Sequence, residues 1–297
     1  MIANLYDSPR KPARAVVLGA GGFIGGAVAR RLRAEGIEVA ALGRSSCDLL
    51  ASDAATRLAA ELRPDDTLVF VSARAPVKNV AMLTENIRMG EAVCVALKSQ
   101  PVAHVVYISS DAVYQDSTEP LSESSCAEPG SLHGVMHLAR EVMLRSEFPG
   151  PLVFVRPTLT YGLGDPHNGY GPNRFRRLAA EGRSIVLFGE GEELRDHVLL
   201  DDIGELVSRI VLQRSTGIVN AVTGEVASFR ALAEFIAGQF SPSVAVENSK
   251  RTGPIPHNGF RAFAPSAALA AFPGFAFSPW REGLAKLGAQ IREAERK

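Results

Sequence analysis

Cysteine is scarce in this chain: Cys47, Cys94 and Cys126 are the only three in 297 residues, odd in number and far apart. That excludes a disulfide framework and a Cys-x-x-Cys metal site, and it fits a reducing compartment. Net charge is absent as well, with 32 basic residues against 32 acidic ones. Phosphate neutralisation needs a basic surface, so nucleic acid is excluded as the main partner. No apolar run approaches the ~18 residues of a membrane span. The first 14 residues lack the apolar core of a signal peptide and hold Pro9 and Pro12. The expectation is a cytoplasmic chain with no membrane partner, opening with a short frayed leader from Met1 to Arg14.

Apolar residues make up 46% of the chain, ample for a packed core in one large domain or two smaller ones. Ala15–Leu18 is a short apolar run stopped by glycine, which suits a buried parallel strand. Residues 23–35 follow with Ile24, Ala27, Val28 and Leu32 on one helical face. Further strands are predicted at 39–42, 68–71, 105–108 and 152–155, and helices at 53–62, 81–98 and 133–147. This alternation implies right-handed βαβ units in a doubly wound, Rossmann-type parallel sheet of the α/β class. After Tyr161 the texture changes: residues 163–172 are rich in Gly, Pro, Asn and Asp, a loop signature. A helix is expected over 228–240 and a loop over 253–265.

Gly19-Ala20-Gly21-Gly22-Phe23-Ile24-Gly25 lies between the first strand and the first helix. Glycines there let a pyrophosphate approach the backbone, and the helix N-terminus offers oriented N–H groups. The plain alternative is a flexible strand–helix turn. The second strand ends Leu42-Gly43-Arg44-Ser45-Ser46, with no carboxylate where a ribose hydroxyl would be held. Arg44 therefore favours NADP over NAD. Because 26 of the 32 basic residues are arginine, a solvated loop arginine is the competing explanation.

The ordered set of segments resembles the extended short-chain dehydrogenase/reductase family, the NAD-dependent epimerases and dehydratases. Gly19, Gly22 and Gly25 match its Gly-x-x-Gly-x-x-Gly loop, and residues 108–114 (ISSDAVY) resemble its catalytic strand end, with the Ser/Thr on Ser110. Val155-Arg156-Pro157 with Tyr161-Gly162, the 189–203 segment around Arg195-Asp196, and Pro279-Trp280-Arg281-Glu282-Gly283-Leu284 complete the match along nearly the whole chain. The resemblance implies that Phe23, Ile24, Asp48, Leu49, Ser72 and Ala73 line a dinucleotide site. It implies a nucleotide-sugar substrate held by Arg195, with a solvent-exposed Arg195–Asp196 pair as the alternative, and by Asn173. It also implies a discontinuous second domain: 1–160 with about 197–222 binding the dinucleotide, and 161–196 with 223–297 forming a smaller substrate domain. A homodimer is compatible with it.

Two departures stand out. The family's usual Asn of "RPxNVYG" falls on Leu159, and its Tyr-x-x-x-Lys reads His133-Gly134-Val135-Met136-His137. Residues four apart share a helix face, so both histidines keep the direction of the pair they replace. One reading makes His133 a substitute acid/base with Ser110 polarising the substrate oxygen, Asp111 a further candidate, and His137 a ribose contact with less positive charge than lysine. That gives an epimerase or ketoreductase of a nucleotide-activated sugar. A second reading keeps the fold as a catalytically degenerate cofactor sensor or interaction protein. A third, a metal site, lacks ligands unless His167 or Asp165 folds over, and none is expected.

Overall fold

A computed structural model describes residues 1–294; the last three residues of the expected 223–297 segment lie outside it. The first half alternates as β1 (Ala15–Leu18), α1 (Phe23–Ala34), β2 (Val39–Leu42), α2 (Ala54–Glu61), β3 (Thr67–Phe70), α3 (Val80–Ser99), β4 (His104–Ile108), α4 (Leu132–Glu147) and β5 (Leu152–Pro157). Beyond it come β6 (Leu159–Tyr161), α5 (Pro172–Ala180), β7 (Ile185–Phe188), β8 (Leu194–Leu199), α6 (Leu200–Gln213) and β9 (Gly217–Ala221). The chain ends with β10 (Val226–Ser228), α7 (Phe229–Ala237), β11 (Val246–Ser249), β12 (Phe260–Arg261), α8 (Ser266–Ala271) and α9 (Trp280–Ala294).

Six parallel strands form the central sheet in the order β2-β1-β3-β4-β5-β9. Successive side chains of a strand point to opposite faces, and here both faces are apolar. Val17, Val69, Val106 and Val153 pack beneath α1 and α6 with Val28, Leu32, Leu206 and Ile210. Val16, Leu68, Val105 and Phe154 pack on the other face with Leu58, Val93 and Leu144 of α2, α3 and α4. Strand order reverses between β1 and β3, and a doubly wound sheet opens a crevice at its carboxyl edge at that point.

A third apolar cluster joins α5, α7, β7 and α9 through Phe175, Phe229, Leu232, Ile185 and Leu287. The remaining short strands form a sheet ordered β10-β8-β12, with β6 also on β8, and a pair β11-β7. Residues 217–221 return to the large sheet beside β5.

Three sequence expectations need correction. The leader is not frayed: Ala3 bridges Thr216, Asn4 Nδ2 donates to Ala271 O at 2.8 Å, and Ile2 packs on the core. Residues 266–277 were expected with the smaller domain, yet Ala268, Phe272, Phe275 and Phe277 join the core under α1 and α6. The expected loop 253–265 contains β12, paired in parallel with β8. A two-residue strand has no readable period, so its signal was too short to see.

Candidate functional site

A single cavity of about 1150 Å³ runs from the glycine loop, past the β4 end and the start of α4, to β8 and β12. Gly19, Gly22, Phe23 and Ile24 line one end, with Arg44, Asp48, Leu49, Ser72 and Ala73. Gly19 has φ +101°, and a Cβ on it would lie 2.8 Å from Ser72 N across the switch point. Gly22 caps α1 without any side-chain hydrogen bond. The first-turn N–H groups of a helix have no partner within it. Gly25 does not line the cavity; a Cβ there would overlap Gly19 O, so its role is close packing of α1 on the loop. Arg44 is 80% exposed at the rim, with Asp48 Oδ2 3.6 Å from its Nε.

The middle of the cavity holds Ser110, Asp111, His133 and His137. Ser110 caps a short 3-10 turn over Asp111–Val113; its Oγ accepts from Ala112 N at 3.1 Å and donates to Asp111 Oδ1 at 3.3 Å. Asp111 Oδ2 accepts from Arg261 Nε at 2.9 Å. Ser109, next to Ser110, donates to Glu141 at 2.6 Å, and Glu141 forms a buried two-pronged ion pair with Arg156. Ser131 caps α4, placing His133 in its first turn and His137 in its second. Gly134 lets α4 approach this closely, because a Cβ on it would overlap Ala112 O.

The histidine rings meet edge to face with centroids 4.7 Å apart. Nδ1 of His137 lies 2.8 Å from the Tyr107 hydroxyl, whereas Nδ1 of His133 is buried without a partner. Burial holds both imidazoles below their ordinary range. Asp111 counters this at His133 while His167 adds to it, and at His137 both His133 and Arg140 add to it. Both rings are therefore neutral at pH 7. The 163–171 loop does fold over, bringing Asp165 and His167 to the cavity wall, but among the described residues no three side chains gather as metal ligands.

At the far end the buried Arg195 lines the cavity. Its partner is Glu193 at 2.7 Å, and it also donates to Pro256 O at 2.6 Å. The alternative of a solvent-exposed pair with Asp196 does not form. Alternation along β8 sends Asp196 to the opposite face, where it accepts from Thr223 and Gly224. Asn173 was expected to touch substrate and does not line the cavity; its Oδ1 accepts from Gly162 N at 3.0 Å and its Nδ2 donates to Thr160 O. A surplus amide at the start of α5 serves the backbone of the neighbouring turn instead. Residues missed in the sequence are Arg261, which links β12 to Asp111 and Asp116, and Arg251, paired with Glu193 at 2.6 Å.

The sequence profile of the NAD dependent epimerase/dehydratase family matches residues 15–222. A UDP-glucose 4-epimerase of Mycolicibacterium smegmatis is 29% identical over 262 residues, covering 76% of this chain and 82% of its own. Among solved structures, a GDP-L-fucose synthetase from Naegleria fowleri bound to NADP superposes with a TM-score of 0.82 at 17% identity, over 100% of this chain and 99% of its own. The Thermus thermophilus UDP-glucose 4-epimerase in complex with NAD gives 0.78 at 23% identity, over 95% and 99%. No helix among the described residues is long and apolar enough to cross a membrane. With its profile match spanning well over half the sequence, the chain belongs to the NAD dependent epimerase/dehydratase family.

Proposed function

We propose that this chain is an NAD(P)-dependent epimerase or ketoreductase of a nucleotide-activated sugar. The carrying observation is the one continuous cavity that joins the glycine loop, the Ser110–His133 centre and the Arg195 end. The loop end suits a dinucleotide: it is a cradle of backbone, tight enough that a Cβ on Gly19 would meet Ser72, with uncapped helix N–H groups beside it. Gly19, Gly22, Phe23 and Ile24 would hold its pyrophosphate, Leu49, Ser72 and Ala73 its adenosine, and His137 its nicotinamide ribose. Arg44 at the rim favours the 2′-phosphate of NADP over NAD. Such a nicotinamide, when bound, supplies the site with a hydride acceptor or donor. The relatives named above, two of them UDP-glucose 4-epimerases, support the sugar-nucleotide class.

His133 is the proposed proton carrier. Its neutral imidazole takes the proton of a sugar hydroxyl as the carbon beneath is oxidised, and returns it on reduction. Ser110 donates a hydrogen bond to the same oxygen once its hydroxyl turns from Asp111. Asp111, held by Arg261, lies near His133 and counters the effect of burial on it. Arg195 offers a planar fork to a diphosphate, partly compensated by Glu193. The domain division follows: the large sheet with α6 and β9 carries the dinucleotide, and the β8 and α7 side carries the sugar. A second reading, a cofactor-binding sensor, is favoured by one observation: Ser110 Oγ and both Asp111 oxygens are already engaged within the protein.

Calorimetric titration with NAD, NADP and a panel of nucleotide-sugars tests the proposal, with mass spectrometry of small molecules released from gently purified protein. Binding of a dinucleotide and of at least one nucleotide-sugar is expected. A panel in which none binds or raises the melting temperature would overturn the substrate assignment. Tight dinucleotide binding with no turnover would favour the sensor.

A further inference from the structure

Helix α4 carries another polar residue on the histidine face, Arg140, three positions beyond His137. It is wholly enclosed, the first among the largest fully buried side chains. Its hydrogen bonds go to neutral oxygens: Nε and Nη2 to Asn86 O at 2.9 and 2.7 Å, Nη2 to Asn86 Oδ1 at 3.1 Å, and Nη1 to Ser72 O at 2.8 Å. Its guanidinium lies 5.0 Å from the centroid of the Phe70 ring. Among the described residues no carboxylate lies within ion-pair distance of it, although the buried Arg14 and Arg156 each have one. Glu141, its neighbour in sequence, is committed to Arg156 and Ser109. A buried cation without a counter-ion is strongly unfavourable on its own. Here four hydrogen bonds to those oxygens offset part of that cost.

Tyr107 and His137, the pair that meets at the cavity wall, both feel that field. The Tyr107 hydroxyl sits 2.8 Å from His137 Nδ1. A phenol has one proton and two lone pairs. A nearby cation favours the orientation in which the lone pairs face it and the proton points to Nδ1. A neutral imidazole that accepts at Nδ1 carries its own proton on Nε2. His137 Nε2, unlike His133 Nδ1, is not a sealed atom without a partner, and His137 lines the cavity.

We propose that Arg140 and Tyr107 are positioning residues that lock His137 as its Nε2–H tautomer, so that the cavity wall presents a fixed neutral donor while the positive charge stays one layer behind it. On the dinucleotide reading, which this inference deepens, that donor meets the nicotinamide ribose. The charge that the sequence removes from position 137 is thereby kept in the helix at position 140.

The tautomer can be read directly by two-bond proton–nitrogen NMR on ligand-free protein labelled with nitrogen-15 histidine. The wild type should show His137 protonated on Nε2 at pH 7. Tyr107→Phe keeps the ring packing and removes the hydroxyl. It should release His137 into a mixture of tautomers and weaken NAD(P)H binding about tenfold by calorimetry, the scale of one lost neutral hydrogen bond. Arg140→Lys should retain the wild-type tautomer more fully than Arg140→Met, a difference that lost packing alone would not produce. A wild-type His137 protonated on Nδ1, or a tautomer unmoved in Tyr107→Phe, would overturn the lock. A locked tautomer released by Tyr107→Phe, in a protein that binds neither dinucleotide, would uphold the lock and sink the dinucleotide reading.

Discussion

The two ends of the cavity are built from different materials. At the glycine loop the wall is largely backbone: Gly19, Gly22 and the uncapped first turn of α1, with the exposed Arg44 at the rim. At the Arg195 end the wall is a mesh of ion pairs, Arg195 and Arg251 on Glu193, and Arg261 on Asp111 and Asp116. A backbone wall suits a ligand group shared by many proteins, because its shape depends on few side chains. A wall of compensated charges can be retuned pair by pair, and it stays costly to break where both partners are buried, as with Arg195 and Glu193.

The largest expected effect comes from adding one carbon where backbone meets backbone. Gly25→Ala would drive a Cβ into Gly19 O, and Gly134→Ala one into Ala112 O. Each should destabilise the fold by roughly 4 kcal/mol in denaturant unfolding. Their functional effects should differ. Gly25→Ala should abolish dinucleotide binding, whereas Gly134→Ala, by pushing α4 away from Ser110, should abolish turnover and leave much of that binding intact. Identical profiles for the two variants would break the division of the cavity into two ends.

Acid should separate buried groups from exposed ones. Burial pushes His104 and His197 down to about 4, so both stay neutral in the fold but titrate near 6.5 when unfolded. Their stabilising contribution is full above 6.5 and declines as pH falls towards 4, because the unfolded state takes up the protons. Asp196, raised to about 6 by burial, has the opposite sign: its contribution is present at low pH and is lost as pH rises through 6. Asp202, raised by burial, acts in the same direction, but the four lowered histidines, with His133 and His137 among them, outnumber the two carboxyls. Unfolding free energy should therefore fall from pH 7 to pH 5, by about 2 kcal/mol for each of His104 and His197. His104→Gln should flatten the curve by that amount; a steeper fall would contradict it.

At the Arg195 end, Arg195→Ala should weaken a nucleotide diphosphate by about 1.5 kcal/mol in calorimetry, near the lower limit for a charged hydrogen bond, because Glu193 already compensates the guanidinium. A loss well beyond 3 kcal/mol would mean that the pair opens on binding and the compensation is not retained. The smallest effect belongs to Arg44. Exposed as it is, Arg44→Asp should shift preference from NADP towards NAD by about 1 kcal/mol or less. Equal or tighter binding of NAD by the wild type would contradict the NADP assignment.

The same contrast explains what could be read from the sequence. The doubly wound sheet was legible because buried parallel strands and amphipathic helices carry local periods, as in Ala15–Leu18 followed by Val28 and Leu32. The glycine loop was legible because its work is done by glycines a few residues apart. Ion pairs have no such local signature. Arg261 lies 150 residues from Asp111, and Tyr107 lies 30 from His137. Asn173 misled for a related reason: an asparagine can serve a ligand or the backbone turn beside it, and only the contacts decide. The Met1–Arg14 leader misled because polar, proline-bearing sequence was read as loose, whereas Ala3 and Asn4 tie it to the sheet edge and to α8.

The central claim is that His133, beside Ser110 at the junction of the two ends, moves the proton of a sugar hydroxyl. The most direct measurement is the pH dependence of turnover on a nucleotide-sugar that binds, with cofactor affinity measured alongside, for wild type and His133→Phe. A general base must be neutral, and burial lowers this imidazole, so wild-type activity should persist to below pH 6.5 and then be lost as pH falls through the lowered value. His133→Phe should abolish turnover and leave NAD(P)H affinity within about twofold of wild type, less than the loss of one neutral hydrogen bond. An active His133→Phe with an unchanged pH profile would contradict the claim and move the proton to Ser110 or Asp111.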